Sequence, residues 1–140
     1  MKHLLLLALA VGSLMFTACG EEKKEKEPES LVEVKDGIYT EYYPGRKAIK
    51  YRGPQDENEL RDGRWFFYAE NGTELSMTEY SHGKKNGASW VRYPNGMMRY
   101  FGEYQDNVQV GEWVTYDEKG NVAATKDFGR PDQPAEAPAN

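Results

Sequence analysis

Hydrophobic positions are laid out in two distinct ways along the chain. From Leu4 to Met15 they run almost without interruption, and the charged stretch that begins at Glu21 ends the run. From about residue 36 onward, apolar and aromatic residues come in segments of roughly five to eight, parted by Gly, Asn, Asp and Pro. Segments this short and this rich in Trp, Tyr, Phe, Val and Thr are predicted to be strands. Met98, Tyr100 and Tyr104 alternate with Arg99, Phe101 and Glu103, so both faces of the expected sheet carry large side chains.

The segments repeat. Gly63, Gly87 and Gly111 are 24 residues apart, as are Gly72, Gly96 and Gly120, then Glu79, Glu103 and Asp127, then Tyr80, Tyr104 and Phe128. A period of about 20–50 residues marks an array of supersecondary units. The indole drifts by one, at Trp65, Trp90 and Trp113, and so does the tyrosine that follows it, at Tyr68, Tyr93 and Tyr116. An extra residue before Trp90, taken up by a β-bulge, is the reading these positions favour. A more degenerate copy, "DGIYTEYYPGRKAIKYRG", precedes the three and has Tyr39 in place of tryptophan. The 11-residue "GPQDENELRDG" after it is expected to form a loop or irregular joint.

The punctuation identifies the unit. "YPNG" puts Pro94 and Asn95 at the centre of a type I turn and Gly96 at the left-handed position that follows; "AENG" and "DEKG" repeat this with Gly72 and Gly120. "SHGKKNG" and "QDNVQVG" read as longer polar turns, each ending at a period glycine. Every connection is short enough for an antiparallel hairpin and too short for a parallel crossover. The expected fold is all-β, an elongated antiparallel meander of about eight strands.

The pattern "G-x-W-x-x-Y", then "x-G", then a late aromatic, as in "GRWFFY...NG...EY" and "GEWVTY...KG...DF", resembles MORN-type repeats and in particular the YwqK-type bacterial repeat family. The resemblance covers about residues 36–128 and departs from the pattern at Ala88, Ser89 and Trp90. It implies a β-hairpin repeat fold and, because members of that family are often described as antitoxins, a protein partner such as a toxin.

The first apolar run has the three parts of an export signal over residues 1–18: Lys2 and His3, the apolar stretch, and the small residues Thr17 and Ala18. It is shorter than the roughly 20 residues that span a bilayer. "FTAC" resembles the lipobox of bacterial lipoproteins, with Phe16 where leucine is most frequent. That resemblance implies that Cys19 becomes an acylated N-terminus anchored in a membrane; without it, Cys19 is an unpaired thiol in an oxidising compartment. Residues 19–35 are expected to be a charged tether too poor in apolar surface to fold, with the part after Cys19, residues 20–35, reaching roughly 55 Å at about 3.5 Å per residue. The acidic cluster after Cys19 also resembles the surface-export signals of Bacteroidota lipoproteins, leaving open whether the domain faces the periplasm or the outside. Residues 129–140, rich in Pro and Ala, are expected to be a disordered tail.

Charge and composition narrow the function. The chain carries 18 basic and 23 acidic residues, and losing Lys2 with the signal leaves a net charge of −6. Nucleic acid is therefore not an expected partner. All three tryptophans, all ten tyrosines and four of five phenylalanines lie within residues 36–128, so cohesion is expected from aromatic pairs. The tryptophans are first read as structural, with an exposed aromatic strip for a glycan or protein as the alternative. His82 in a turn and Cys19 are the only His and Cys left in the mature chain, which disfavours a His or Cys metal site or a catalytic triad. No cofactor and no enzymatic activity are expected. The composite expectation is a non-catalytic binding or scaffold module anchored in the cell envelope. An antitoxin or immunity protein and a glycan-binding lipoprotein are the alternatives.

Overall fold

A computed structural model describes residues 30–131, which form one nine-stranded antiparallel sheet in strict chain order. The strands are β1 (Val32–Lys35), β2 (Ile38–Tyr42), β3 (Ile49–Pro54), β4 (Gly63–Tyr68), β5 (Glu74–Ser81), β6 (Lys84–Arg92), β7 (Met98–Gln105), β8 (Val108–Tyr116) and β9 (Val122–Asp127). The meander is thus as expected, with one strand more. The extra strand is β1, drawn from the end of the expected tether: "VEVK" pairs with β2 from Val32↔Glu41 to Lys35↔Ile38. The signal segment, Cys19, most of the tether and residues 132–140 lie outside the described residues.

At one end of the sheet the glycine-bulge turns form as expected. Gly96 N–H donates to Tyr93 O at 2.9 Å and Tyr93 N–H to Met97 O at 2.8 Å; the same pair of bonds recurs 24 residues earlier and later, at Ala69 and Asp117. Gly96 sits at φ 88°, where a Cβ is sterically penalised. At the other end the connections are tighter than expected. They are two-residue turns with both central residues at positive φ: Asp36-Gly37, His82-Gly83 and Asp106-Asn107. Such turns match the right-handed twist of the strands they join. Lys84 and Val108 therefore resume the strands directly, and Gly87 and Gly111 lie inside β6 and β8 at register shifts instead of ending long turns.

The register also changes the reading of Trp90. With Ala69, Tyr93 and Asp117 all opening equivalent turns, the 24-residue period holds without an inserted residue. Trp65 pairs with Thr78, Ser89 pairs with Thr78 from the other side, and Trp113 lies across from Gly102. Ser89 is therefore the true equivalent of the two tryptophans. Trp90, paired with Met77 and Phe101, points from the opposite side of the sheet, where Phe66 and Val114 stand in the other copies. Likewise Arg92 is the counterpart of Tyr68 and Tyr116, while Tyr93 is a turn residue whose hydroxyl donates to Tyr116 O at 3.0 Å.

The interior of this one-layer sheet is small. Trp65, Met77, Val110 and Trp113 are its buried hydrophobic residues, joined by Ser89. Each buried indole lies on a glycine of the preceding hairpin: a Cβ on Gly53 would stand 2.6 Å from Trp65 Cδ1, and one on Gly102 would stand 2.6 Å from Trp113 Cγ. Between the two, Thr78 replaces the glycine and Ser89 the indole, and their hydroxyls meet at 2.9 Å. Close packing requires this exchange, since an indole and a Cβ cannot share one site.

Candidate functional site

Pairing places two aromatic clusters on one side of the sheet, which we call the indole face. In the first, Trp65 stands between Tyr39 (ring centroids 5.3 Å apart) and Tyr80 (6.5 Å), with Tyr51 and Phe67 stacked beside them at 4.9 Å. In the second, Trp113 is met by Tyr104 at 5.0 Å, Tyr100 at 5.8 Å and Phe128 at 6.4 Å. Both indole N–H groups are satisfied by backbone carbonyls, Pro54 O at 2.7 Å and Glu103 O at 3.1 Å. Trp65 and Trp113 are thus buried with their N–H groups paired, while their aromatic neighbours remain part-exposed.

The clusters differ in one respect. Arg61, delivered by the irregular joint between β3 and β4, lies 4.3 Å above the Trp65 ring, and its guanidinium donates to Tyr80 Oη at 3.1 Å. That joint is well structured: Asp56 Oδ1 accepts the backbone N–H of Asn58 and Leu60, and Asp56 Oδ2 lies 2.8 Å from His82 Nδ1. The hydrogen bond to His82 lowers the Asp56 pKa, and Asp56 in turn raises that of His82. The first cluster is therefore capped. Among the described residues no equivalent arginine covers the second, and a cleft of about 490 Å³ opens there, floored by Trp113 and flanked by Tyr104 and Phe128. Gln109, Thr115 and Lys126 supply its polar rim. Burial, followed by the neighbouring Tyr104, raises the pKa of the Tyr100 phenol, which keeps it a neutral donor.

On the reverse face, Trp90 is half-buried beneath Arg92 at 4.4 Å, and Phe101 is exposed. Glu79, one of the three period carboxylates, accepts from Arg64 Nε at 2.9 Å and from Ala88 N–H at 2.9 Å. The arginine first and the amide second lower its pKa. Its carboxylate fills the space that a Cβ on Gly87 would need, which ties the bulge to the neighbouring strand. Glu103 pairs instead with Arg130. These acids are kept apart, each with its own structural partner, and among the described residues no group of three His, Cys, Asp or Glu gathers to hold a metal.

The site residues read from the sequence fall into two groups. The glycines 63, 72, 87, 96, 111 and 120, with Tyr68, Tyr93 and Tyr116 at strand ends and turns, shape the hairpins; of the indoles, Trp65 lies under Arg61, Trp90 is on the reverse face and Trp113 belongs to the open cleft, while Cys19 lies outside the described residues. Gln109, Thr115 and Lys126 had no signal in the sequence beyond their place in the period, because only the register reveals that they share a face with Trp113. Compared with known proteins, the chain matches no protein-family model and no curated protein.

Proposed function

We propose that the protein is a non-catalytic binding or scaffold module of the cell envelope, held to a membrane through acylated Cys19 and receiving its partner on the indole face. The observation that carries this reading is the unequal treatment of two copies of one aromatic cluster: Arg61 closes the first, and the second is left as an open cleft. A fold stabilised by aromatic packing gains from capping such a cluster, as it does at Trp65. Leaving the other uncovered puts apolar surface in water, the pattern of an interaction site. The likeness of the repeats to MORN-type and YwqK-type units, and of "FTAC" to a lipobox, supports an envelope-anchored interaction role.

The test is affinity capture from the native envelope with the full-length, detergent-extracted protein, analysed for proteins and polysaccharides together. A discrete ligand retained by the wild type and reduced by Phe128→Ala is the expected result. A single basic protein would select the immunity-type reading, in keeping with the net charge of −6, and retained polysaccharide would select glycan binding. Capture that is indistinguishable between wild type and Phe128→Ala would refute the assignment of the indole face.

A further inference from the structure

Resting on that reading, we infer that the open cleft binds a saccharide bearing carboxylate groups, with sugar rings against Phe128 and Tyr104 and a carboxylate at Lys126. Three features lead to this ligand class.

The first is charge. In a chain with a clear excess of acid, the register of β6 to β9 places Lys85 and Lys126 on the indole face and no acidic side chain with them. Glu103 and Asp127 project from the reverse side, and Asp106 lies in a turn paired with Lys84 at 3.2 Å. Lys126 Nζ lies 4.4 Å over the Phe128 ring and Lys85 Nζ 4.7 Å over Tyr104, so both ammonium groups stand at the aromatic walls. Neither makes an ion pair among the described residues. Elsewhere in the sheet Lys50 and Arg64 pair with Glu41 and Glu79, while Arg92 and Arg99 lie over the rings of Trp90 and Tyr93. A local positive field inside an acidic protein selects an anionic ligand over neutral ones.

The second is the character of the polar rim. Among the described residues, the hydroxyls of Tyr100, Tyr104 and Thr115 and the amide of Gln109 make no side-chain hydrogen bond, in contrast to the equivalent Tyr80 hydroxyl bound by Arg61. These groups both donate and accept. Sugar hydroxyls use that dual capacity, whereas the carboxylate side chains of an acidic peptide need donors alone. The third is shape: part-exposed aromatic rings at steep angles, with Tyr104 and Phe128 each inclined 78° to Trp113, offer flat apolar walls to the C–H face of a pyranose. The cleft volume lies within the roughly 300–1,000 Å³ of small-ligand sites.

The experiment is calorimetric titration of the full-length protein in detergent with trigalacturonate, its carboxyl-reduced neutral counterpart and a hexaglutamate peptide. Trigalacturonate and a hyaluronan tetrasaccharide serve as alternative uronate probes. At least one uronate should bind at least tenfold more tightly than the neutral sugar and the peptide. Lys126→Ala and Phe128→Ala should each weaken that binding by about tenfold or more, with the circular dichroism of the sheet retained. Arg61→Ala, which uncovers only the first cluster, should leave it within about twofold. Binding of neither uronate, equal binding of the neutral sugar, or preference for the peptide would each overturn the inference. Envelope capture that still depends on Phe128 while every saccharide fails would sink the ligand class and leave the binding-module reading in place.

Discussion

Gly102→Ala is the sharpest test of how the sheet is packed. Gly102 does not adopt the left-handed backbone conformation, so alanine meets no backbone penalty there and the cost is purely steric. The new Cβ would stand 2.6 Å from Trp113 Cγ and closer still to Cδ2 and Cε2. Ordinary carbon contacts are about 3.5–4.0 Å, so the indole must lift by about 1 Å or more. That displacement breaks the 3.1 Å bond from Trp113 Nε1 to Glu103 O, worth about 1 kcal/mol, and overpacking adds about 1–3 kcal/mol. The expected loss is about 2–4 kcal/mol, or on the order of 10–20 °C in Tm for a domain near 100 residues. Urea unfolding followed by tryptophan fluorescence and circular dichroism measures it. In a Trp113→Ala background the sign should reverse, because Gly→Ala then stabilises by about 0.4–1 kcal/mol through the unfolded chain. Equal destabilisation in both backgrounds would refute the indole-on-glycine account.

Other expectations follow from turns, packing, charge and anchoring. Gly96→Val places a β-branched residue at φ 88° and should destabilise by more than about 1 kcal/mol in the same unfolding assay. Ser89→Trp should be strongly destabilising alone and partly rescued by Thr78→Gly, since the pair would then copy Trp113 on Gly102; a double-mutant cycle without favourable coupling would contradict this. The joint between Asp56 and His82 has a defined pH window. The raised His82 pKa contributes below its ordinary value of about 6.5 and the contribution is lost as pH rises through the higher folded value. The lowered Asp56 pKa contributes above about 3.9 and its contribution is lost as pH falls through the lower folded value. The Gly83 amide, which donates to Arg61 O across this joint, should exchange fastest relative to intrinsic rates on the alkaline side, and Asp56→Asn should remove that dependence. Cys19→Ser should release the protein from the membrane fraction, with persistent detergent-dependent fractionation counting against acylation.

Much of the fold was legible because turn chemistry is local. "AENG", "YPNG" and "DEKG" each contain a residue type that the backbone demands, and their spacing carried the hairpin unit. What failed required knowledge of faces. His82-Gly83 and Asp106-Asn107 are tight turns embedded among polar residues, so nothing marked where the strands resumed. The glycine bulges at Gly87 and Gly111 interrupt alternation, which hid the fact that Ser89, not Trp90, holds the indole position. Matching residue type instead of side-chain direction turned that switch into an apparent insertion. "VEVK" carried too little apolar surface to announce a strand and becomes one through pairing with β2. The candidate cleft was visible only as an aromatic excess, since Gln109 and Thr115 on β8 meet Lys126 on β9 through strand pairing.

The central claim, that the indole face and not the reverse face meets a partner, is most directly tested by hydroxyl-radical footprinting of the protein in the native envelope against the purified protein. Tyr104 and Phe128 should be protected in the envelope while Trp90 and Phe101, on the other side of the same sheet, keep their reactivity. Equal reactivity of Tyr104 and Phe128 in both settings, or protection confined to Trp90 and Phe101, would contradict the account.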